Sequence, residues 1–335
     1  MDLQPSPVRT SWEVGENVIF ENLTTFTEIV FPKLQGAHSI SLVDLPNLMN
    51  VSMDSLHLAM NGGFELYNTG NFTLSGLASL AELSLPNLAV AKVVELSDLP
   101  SLRSISFQSL TSVNSIIILD TALLSRADFQ VMSAFRPSPD IPETQVQISN
   151  TNLTGLTDIF AGAHNISRMS FSNNPSMYQL SLGILHTGEL EGHGSGGLSL
   201  DFAEPLQYSD SDVSSVGLLN ITGLRDMSSY RGPYNINSGL AMDTFIAANN
   251  NMTEMSVPAI QALKVLEIHD NADLENLSMS ADMTSWKMDV IRIVDNPKLV
   301  LRNESLSSSS SLWIWPSGNI SEMVFRGQFE TSFLQ

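Results

Sequence analysis

The chain has 335 residues and a formal net charge of −20, from 15 Lys and Arg against 35 Asp and Glu. This excludes nucleic-acid binding as the expected function, because such binding begins with a basic patch that releases counterions from phosphates. Hydrophobic residues make up 43% of the chain and charged residues 15%, which provides material for a core and excludes disorder as the main state. Cysteine is absent, which excludes disulfides and zinc sites built on Cys.

The two ends of the sequence show no targeting pattern. Residues 1–12 include Pro5 and Pro7 and contain no apolar run typical of a secretory signal, and residues 327–335 are too short and polar for a removable anchor tail. No stretch approaches the roughly 18 apolar residues of a membrane helix. We therefore expect no membrane-spanning segment.

A repeated pattern of apolar residues runs along the chain. Residues 40–53 have the form φxφxxLxxLxxφxφ, where φ is apolar, and the same form recurs at residues 18–31 and 94–107. Each repeat contains two φxφ pairs, and alternation with a period of two indicates a short strand with one buried face. Residues 266–279 keep the eleven-residue offset between the two pairs.

The second apolar residue of each leading pair forms a column whose steps cluster near 22 residues. Its predicted members are Phe20, Leu42, Leu66, Leu96, Ile118, Ile148, Phe171, Leu200, Ile221, Ile246, Ile268, Ile293 and Ile314. Repeats of this size cannot bury their apolar faces alone and are stabilised by stacking. We predict an all-β, right-handed parallel β-solenoid of the receptor L-domain or leucine-rich-repeat type, with about 13 coils of roughly 22 residues and two strands per coil.

Departures from the regular step predict the domain organisation. Residues 126–143, with three prolines, are expected to connect a first solenoid half at 17–125 to a second half at 144–327. Residues 1–16 form an N-terminal arm and residues 328–335 a C-terminal tail. The Gly-rich residues 186–197 are expected to form a mobile loop.

Two polar columns follow the leading strands. The first consists of Asn22, Asp44, Asn68, Asp98, Asp120, Asn150, Asn173, Asp270 and Asp295. We expect these side chains to turn the chain by accepting the backbone N–H two residues on, and stacked carboxylates such as Asp98 and Asp120 leave a Ca²⁺ site as an alternative. The next column changes from leucine to asparagine, and a ladder of buried amides is predicted there. Its members are Leu23, Leu45, Leu99, Asn174, Asn249, Asn271 and Asn296.

Ten Asn-x-Ser/Thr sequons predict N-glycosylation. About five would arise by chance from the 25 Asn and 65 Ser and Thr of the chain. The excess favours a protein of the secretory pathway, and an Asn- and Ser-rich composition is the alternative explanation. The predicted sites are Asn22, Asn50, Asn71, Asn152, Asn165, Asn220, Asn251, Asn276, Asn303 and Asn319.

The leucine-rich strings around Leu42, Leu85 and Leu96, the Asn-Pro strings ending at Pro175 and Pro297, and the sequons resemble fungal cell-wall organisation proteins of the GPI-anchored, receptor L-domain family. The likeness covers residues 15–327. It implies a glycosylated protein of the cell wall or outer face of the plasma membrane that is needed for wall integrity, without catalytic residues to transfer. The signal peptide, the anchor tail and the cysteines usual in the family are absent from this sequence.

Parallel coils also carry polysaccharide hydrolases and lyases. Gly192-His193-Gly194 resembles the Gly-His-Gly of polygalacturonases, but no adjacent Asp-Asp pair accompanies it, and residues 292–294 lack the Lys that should follow. No Gly-x-Ser-x-Gly elbow occurs, and the six histidines show no metal-ligand spacing. We therefore predict no enzyme activity, no metal and no cofactor.

Trp313 and Trp315 are the candidate ligand-binding residues. If Leu312 and Ile314 face the core, both indoles project from the outer face and suit stacking on sugars, whereas the opposite register buries them. The expected partners are wall polysaccharide or surface proteins, not nucleic acid, and a membrane only through a lipid anchor absent here. The alternatives are a polysaccharide-active β-helix enzyme and an intracellular leucine-rich interaction scaffold.

Overall fold

The computed structural model shows an all-β chain built from parallel sheets that form a β-solenoid. It describes residues 12–57, 70–129, 134–135, 144–156, 166–177, 179–182, 186–194, 200–202, 215–223, 241–257, 263–279, 290–301, 322–325 and 328–329. No helix occurs among these residues. The predicted all-β parallel solenoid is thereby confirmed.

The chain divides into two compact units, residues 1–142 and 143–335. In the first unit, the leading strands pair in parallel in the order β1 (Trp12–Glu21), β3 (Leu34–Val43), β5 (Asn71–Ser75), β7 (Val90–Ser97) and β9 (Ser112–Thr121), and β11 (Ala134–Phe135) also pairs with β9. A second parallel sheet contains β2 (Glu28–Val30), β4 (Asn50–Ser52), β6 (Glu82–Ser84), β8 (Ser104–Phe107) and β10 (Arg126–Phe129).

In the second unit, the leading sheet contains β12 (Gln145–Thr151), β14 (Ile166–Ser172), β16 (His186–His193), β18 (Ser215–Thr222), β19 (Ala241–Ala248), β21 (Val265–His269), β23 (Val290–Val294) and β25 (Glu322–Phe325). Three smaller parallel sheets accompany it. They are β13 (Gly155–Leu156) with β15 (Gln179–Leu182) and β17 (Leu200–Phe202), β20 (Glu254–Val257) with β22 (Asn276–Met279), and β24 (Val300–Leu301) with β26 (Gln328–Phe329).

Strand registers place most of the predicted apolar column in line. Phe20 pairs with Leu42, and Leu96 pairs with Ile118. Inward side chains of this column are almost fully buried in both units, among them Leu42, Leu96 and Ile118 in the first and Ile148, Phe171 and Ile268 in the second. Stacked in this way, each coil covers the apolar face of its neighbour.

Four members of the predicted column are wrong. Leu74, not Leu66, pairs with Leu42; Gly192, not Leu200, pairs with Phe171; Ala247, not Ile246, pairs with Ile221; and Phe325, not Ile314, pairs with Ile293. Glycine has no apolar side chain to mark the column. Residues 245–248 are all apolar, so alternation does not fix which of them face inward. Leu66 and Ile314 lie outside the described residues.

Two of the segments predicted to be irregular contain strands. Residues 186–193, expected within a mobile loop, form β16, in which the buried Leu190 pairs in register with Met169 of β14 and with Leu219 of β18. The predicted connection, residues 126–143, begins with β10, whose register continues the second sheet of the first unit.

One residue at or next to the carboxyl end of most leading strands adopts a left-handed conformation. Its members are Asn22, Asp44, Asp98, Asp120, Asn150, Asn173, Asn249, Asp270 and Asp295, with φ between 51° and 57°, and glycines at 76, 194 and 223. Asn and Asp tolerate this region better than other residues with a Cβ. The asparagine and aspartate column therefore turns the chain through its backbone conformation, and the predicted side-chain turn stays a prediction. Asn68 lies outside the described residues.

These left-handed residues also connect one coil to the next. The backbone N–H of Asp44 donates to the carbonyl of Ser75 at 2.9 Å, and that of Asn173 donates to the carbonyl of His193 at 2.7 Å. A Cβ on Gly76 would lie 2.4 Å from Oδ1 of Asp44. Gly76 is therefore held by both its positive φ and the side chain stacked on it.

The predicted asparagine ladder is present, with one correction. Asn250, not Asn249, occupies the buried position, because Asn249 is the left-handed residue. Asn271 Oδ1 accepts hydrogen bonds from the Asn250 backbone N–H at 2.9 Å and from Asn250 Nδ2 at 3.0 Å, and Asn271 Nδ2 donates to the carbonyl of Ala247 at 3.1 Å. Asn296 makes the equivalent bond to the carbonyl of Ile268 at 2.9 Å. Each buried amide thus satisfies backbone groups of the preceding coil.

Asn271→Leu should destabilise the chain by about 2–4 kcal/mol, because leucine fills the space but leaves buried backbone groups without partners. Urea unfolding followed by circular dichroism measures the change. Asn276→Leu is the control at an exposed asparagine and should change the free energy of unfolding by less than about 0.5 kcal/mol. An Asn271→Leu chain as stable as the control would contradict the ladder.

Two threonines occupy the same position of the coil as the asparagines, and the side-chain hydroxyl of only one of them is hydrogen-bonded. Thr121 is fully buried and its Oγ1 has no partner, whereas Thr151 Oγ1 donates to Asn174 Oδ1 at 2.8 Å. A buried hydroxyl without a partner costs free energy. The first unit therefore contains a correctable defect at the end of β9.

Thr121→Val should stabilise the chain by about 1 kcal/mol, because valine has a similar shape and removes the unpaired hydroxyl. The matched change Thr151→Val should destabilise it by about 1–3 kcal/mol, because Asn174 then loses a buried donor. Both values come from urea unfolding. Equal and destabilising effects of the two substitutions would contradict the difference between the hydroxyls.

Candidate functional site

A charged cluster lies on the outward face of β14 and β16, around the Gly192-His193-Gly194 motif. Arg168 in β14 pairs in register with Glu189 in β16, and residues two apart on a strand share a face, so Glu189, Glu191 and His193 all lie on that side. Leu190, between the two glutamates, points into the core. The short alternation of residues 189–193 thus presents three ionisable side chains in one row.

Arg168 contacts both glutamates of this row. Its Nη2 lies 2.5 Å from Glu191 Oε2, and its Nε lies 3.4 Å from Glu189 Oε2. His193 Nε2 lies 3.8 Å from Glu191 Oε1. The Glu191 side chain is 11% exposed, whereas those of Glu189, His193 and Arg168 are 33%, 35% and 51% exposed. Glu191 is therefore the buried centre of the cluster, with solvent-accessible groups around it.

The two glutamates have opposite pKa shifts. Burial, followed by the charge of Glu191, raises the pKa of Glu189 despite the nearby Arg168. Burial also acts to raise the pKa of Glu191, but the hydrogen bond and charge of Arg168 outweigh it and lower that pKa. A hydrogen bond between the two carboxyl groups acts in the same directions, raising the pKa of Glu189 and lowering that of Glu191. The surroundings thus favour ionisation of Glu191 over ionisation of Glu189.

The sequence motif pointed to His193 but to neither glutamate. The expected partner of the motif was an Asp-Asp pair, whereas the carboxyl groups beside His193 belong to Glu189 and Glu191, which are separated by one buried leucine. The strand period of two, applied to residues 186–193, is the signal that could have found them. The Gly-rich composition of the segment favoured a loop and concealed that period.

Seven of the ten predicted glycosylation sites lie in the described residues. Their asparagines are exposed, except Asn220, which is half-buried; the exposed ones are Asn22, Asn50, Asn71, Asn152, Asn251 and Asn276. Asn165, Asn303 and Asn319 lie outside the described residues, as do Trp313 and Trp315. The stacking of the two indoles on sugars stays a prediction.

The stacked carboxylates considered as a Ca²⁺ site are not part of a larger ligand set. Asp98 and Asp120 follow paired strands at equivalent positions. Within the described ranges, no group of three or more His, Cys, Asp or Glu side chains converges in a way that could hold a metal ion. In the same part of the chain, no helix has the length and hydropathy to cross a membrane.

Comparison with known proteins gives no relative: no family profile and no curated protein matches this chain.

Changing the two glutamates should have opposite effects on stability. The pKa of Glu189 is raised, so around that pKa this group binds more protons in the folded chain than in the unfolded one. Its contribution to the free energy of unfolding is therefore present at low pH and is lost as pH rises above the ordinary pKa of a glutamate. The lowered pKa of Glu191 means the reverse, and its contribution is present at neutral pH and lost as pH falls. Glu189→Gln should therefore raise the urea midpoint at about pH 7, and Glu191→Gln should lower it.

At about pH 4 both differences should shrink, because the carboxyl groups are then largely protonated in the unfolded chain as well. The control is Glu254→Gln, since Glu254 is exposed and lies outside the cluster. Shifts of the same sign in the two glutamine variants at neutral pH would contradict the opposite pKa shifts of the two glutamates.

Proposed function

We propose that this chain is a non-enzymatic, N-glycosylated solenoid of the receptor L-domain type that acts at the fungal cell surface, as a scaffold or recognition module in cell-wall organisation. In this proposal the solenoid is right-handed, with about 13 coils of two strands each. The protein lies in the wall or on the outer face of the plasma membrane. It uses no cofactor or metal.

The observation that carries the proposal is the exposure of the sequon asparagines. Six of the seven described sites have an exposed asparagine, and they occur in both units. Asn50 begins β4 and Asn276 begins β22, so two of them lie at the starts of short strands in the smaller sheets. Glycans at these places would extend from the surface without disturbing the apolar column, which supports a heavily glycosylated surface protein.

The buried apolar column of each unit supports a scaffold role. Its inward side chains include Leu42, Leu74, Leu96 and Ile118 in the first unit and Ile148, Phe171, Ala247, Ile268 and Ile293 in the second. A solenoid of this kind presents a long outward surface built from independent coils, and such surfaces are used in recognition. The resemblance to wall proteins supports polysaccharide or surface proteins as partners.

A polysaccharide-active enzyme is a second candidate, and the cluster at Glu189 and Glu191 is the observation that favours it. Glycoside hydrolysis uses one protonated and one ionised carboxyl group. However, retaining and inverting enzymes hold these groups about 5 Å or more apart, to admit the sugar carbon or a water molecule. Glu189 and Glu191 instead hydrogen-bond to each other, so we favour the non-enzymatic function.

The protein isolated from its native host should lose mass on N-glycosidase treatment, because exposed sequons are accessible to the glycosylation machinery. Mapping the resulting Asn-to-Asp conversions by mass spectrometry should find modified residues among Asn50, Asn71 and Asn276. Asn47, which is also exposed but outside a sequon, is the internal control.

A chain that loses no mass would overturn the proposal and favour the intracellular interaction scaffold. Release of reducing ends from pectin, glucan or chitin by the same preparation would overturn it in favour of the enzyme. Recovery of the glycosylated chain in the cell-wall fraction is the expected result.

A further inference from the structure

The first described coil, which contains β1 and β2, leaves its inward apolar side chains partly uncovered. We define the open end as these side chains, which are half-buried or exposed: Val18, Phe20, Leu23, Phe26 and Phe31. Their counterparts in the next coil are fully buried, and these are Ile40, Leu42, Leu45, Leu48 and Met53. The difference arises because the next coil is covered on both sides and the first coil on one.

Aromatic side chains are concentrated at the open end. The ring centroid of Phe20 lies 6.0 Å from that of Phe26 and 6.0 Å from that of Phe31. A coil that ends a solenoid in water needs a polar outer face, whereas aromatic residues are enriched in the centres of protein interfaces. The open end therefore has the composition of an interface.

Most of the exposed large hydrophobic side chains of the described residues lie at or beside the open end. Ile19, Phe26 and Val30 belong to the first coil and Met49 to the next, and Leu123 is the remaining one. Scattered exposed apolar residues need no explanation, but a group of them in one place marks a site of protein association.

The backbone at this end is also available for pairing. Within the described part of the chain, β1 and β2 are the outermost strands of their two sheets. The register of β1 on β3 is shifted in its first half and is continuous from Asn17 to Glu21. Pro and Lys, which protect edge strands, do not occur in β1. Residues 17–21 therefore present a regular sheet edge.

This regular segment is complementary to itself. If two copies of residues 17–21 pair antiparallel about Ile19, then Ile19 lies opposite Ile19, Asn17 opposite Glu21, and Val18 opposite Phe20. No two carboxylates face each other, and inward apolar side chains meet inward apolar side chains. A two-fold axis through such a pair presents the same patch of both copies to each other, as in most homodimers.

We propose that the open end binds a second copy of this chain and forms a closed two-fold dimer. In this dimer the two β1 strands pair antiparallel about Ile19, and each copy covers the open end of the other. The inference goes beyond the proposed function and does not depend on it.

The packing within the solenoid favours a second copy in this orientation. Each buried coil is covered by other coils, as Phe20 is covered on one side by Leu42, so the cross-section of a coil fits another coil. A head-to-tail contact would place Leu23 of the open end against coils of the second unit. At the same position of those coils the buried side chains are the amides of Asn271 and Asn296. Contact between two open ends matches apolar side chains to each other.

The charge of the chain makes the dimer sensitive to salt. Each copy has a net charge of −20, which opposes association. The charged side chains of the first coil, Glu21, Glu28 and Lys33, are exposed and lie outside the apolar open end. Screening reduces the repulsion, since charges more than about 8 Å apart interact little at physiological ionic strength. The dimer should therefore tighten as salt is added.

Sedimentation equilibrium of the full chain tests the inference. We expect a concentration-dependent species of twice the chain mass of 36.5 kDa, and no larger one. Its dissociation constant should fall about threefold or more between about 0.05 M and about 0.5 M salt. Asn22, a predicted glycosylation site, directly follows β1, so chain made with glycans is measured before and after N-glycosidase treatment. Dimerisation of both forms is expected.

Phe26→Gln should weaken the dimer about tenfold, because it removes apolar surface from the centre of the interface. The matched control is Leu123→Gln, which removes a side chain of similar exposure, 45% against 38% for Phe26, away from the open end. The control should change the dissociation constant by less than about twofold. Circular dichroism checks that both variants are folded.

Ile19→Cys tests the orientation and stays informative if Phe26→Gln does not fold. The chain has no cysteine, so the new thiol can pair only with its copy. Opposed residues of antiparallel strands have Cα atoms about 4.5–5.5 Å apart, which is within the range of a disulfide. Mild oxidation should therefore link the dimer covalently, whereas Leu123→Cys should stay unlinked.

A chain that is monomeric at every concentration and salt would overturn the inference, as would equal weakening by Phe26→Gln and Leu123→Gln. Species larger than a dimer, with no link through Ile19→Cys, would replace it by head-to-tail assembly. A dimer that forms only after removal of glycans, or only after deletion of residues 1–11, would also overturn it, because the open end is then covered within one copy. None of these results affects the proposed function.

Discussion

The structure depends on the transfer of hydrogen bonds from each coil to the next. Parallel strands cannot be closed by a tight hairpin, so every coil must turn sharply at the end of its leading strand and present its backbone groups to its neighbour. Left-handed residues such as Asp98 and Asn173 make that turn, and the N–H of Asp98 donates to Leu119 at 3.2 Å. Because no coil buries its own apolar face, these turns and the apolar column are stable only together.

The position after the turn shows how the same coil geometry admits two chemistries. Leucine fills it at residues 45 and 99, where the side chain is fully buried, and asparagine fills it at residues 271 and 296, where the amide donates to a carbonyl of the preceding coil. Threonine fills the same position at residues 121 and 151, and of the two hydroxyl groups only that of Thr151 has a hydrogen-bond partner. A buried polar ladder is favourable only when every member is paired, so the unpaired hydroxyl of Thr121 marks the place where it is incomplete.

Because the inward side chains and the turns stabilise the solenoid, the outward face is free to carry chemistry. Two glutamates lie on one face of β16 and both contact Arg168 of the neighbouring strand, which lowers the pKa of Glu191, whereas burial raises the pKa of Glu189. This arrangement costs stability at neutral pH, where Glu189 resists ionisation.

The sequence alone determined the all-β solenoid, because alternation with a period of two and a constant eleven-residue offset report directly which side chains face inward. It also determined most of the turn positions that Asn and Asp occupy, because these residues recur at a fixed place after the apolar pairs, but it did not find the left-handed residues Gly76, Gly194, Gly223 and Asn249. Only the tertiary structure decided the column members Gly192 and Ala247, because a residue without a large apolar side chain leaves no periodic signal. It also decided the pairing of Arg168 with Glu189, because the partner of a strand in a solenoid depends on loop lengths that a local pattern does not encode.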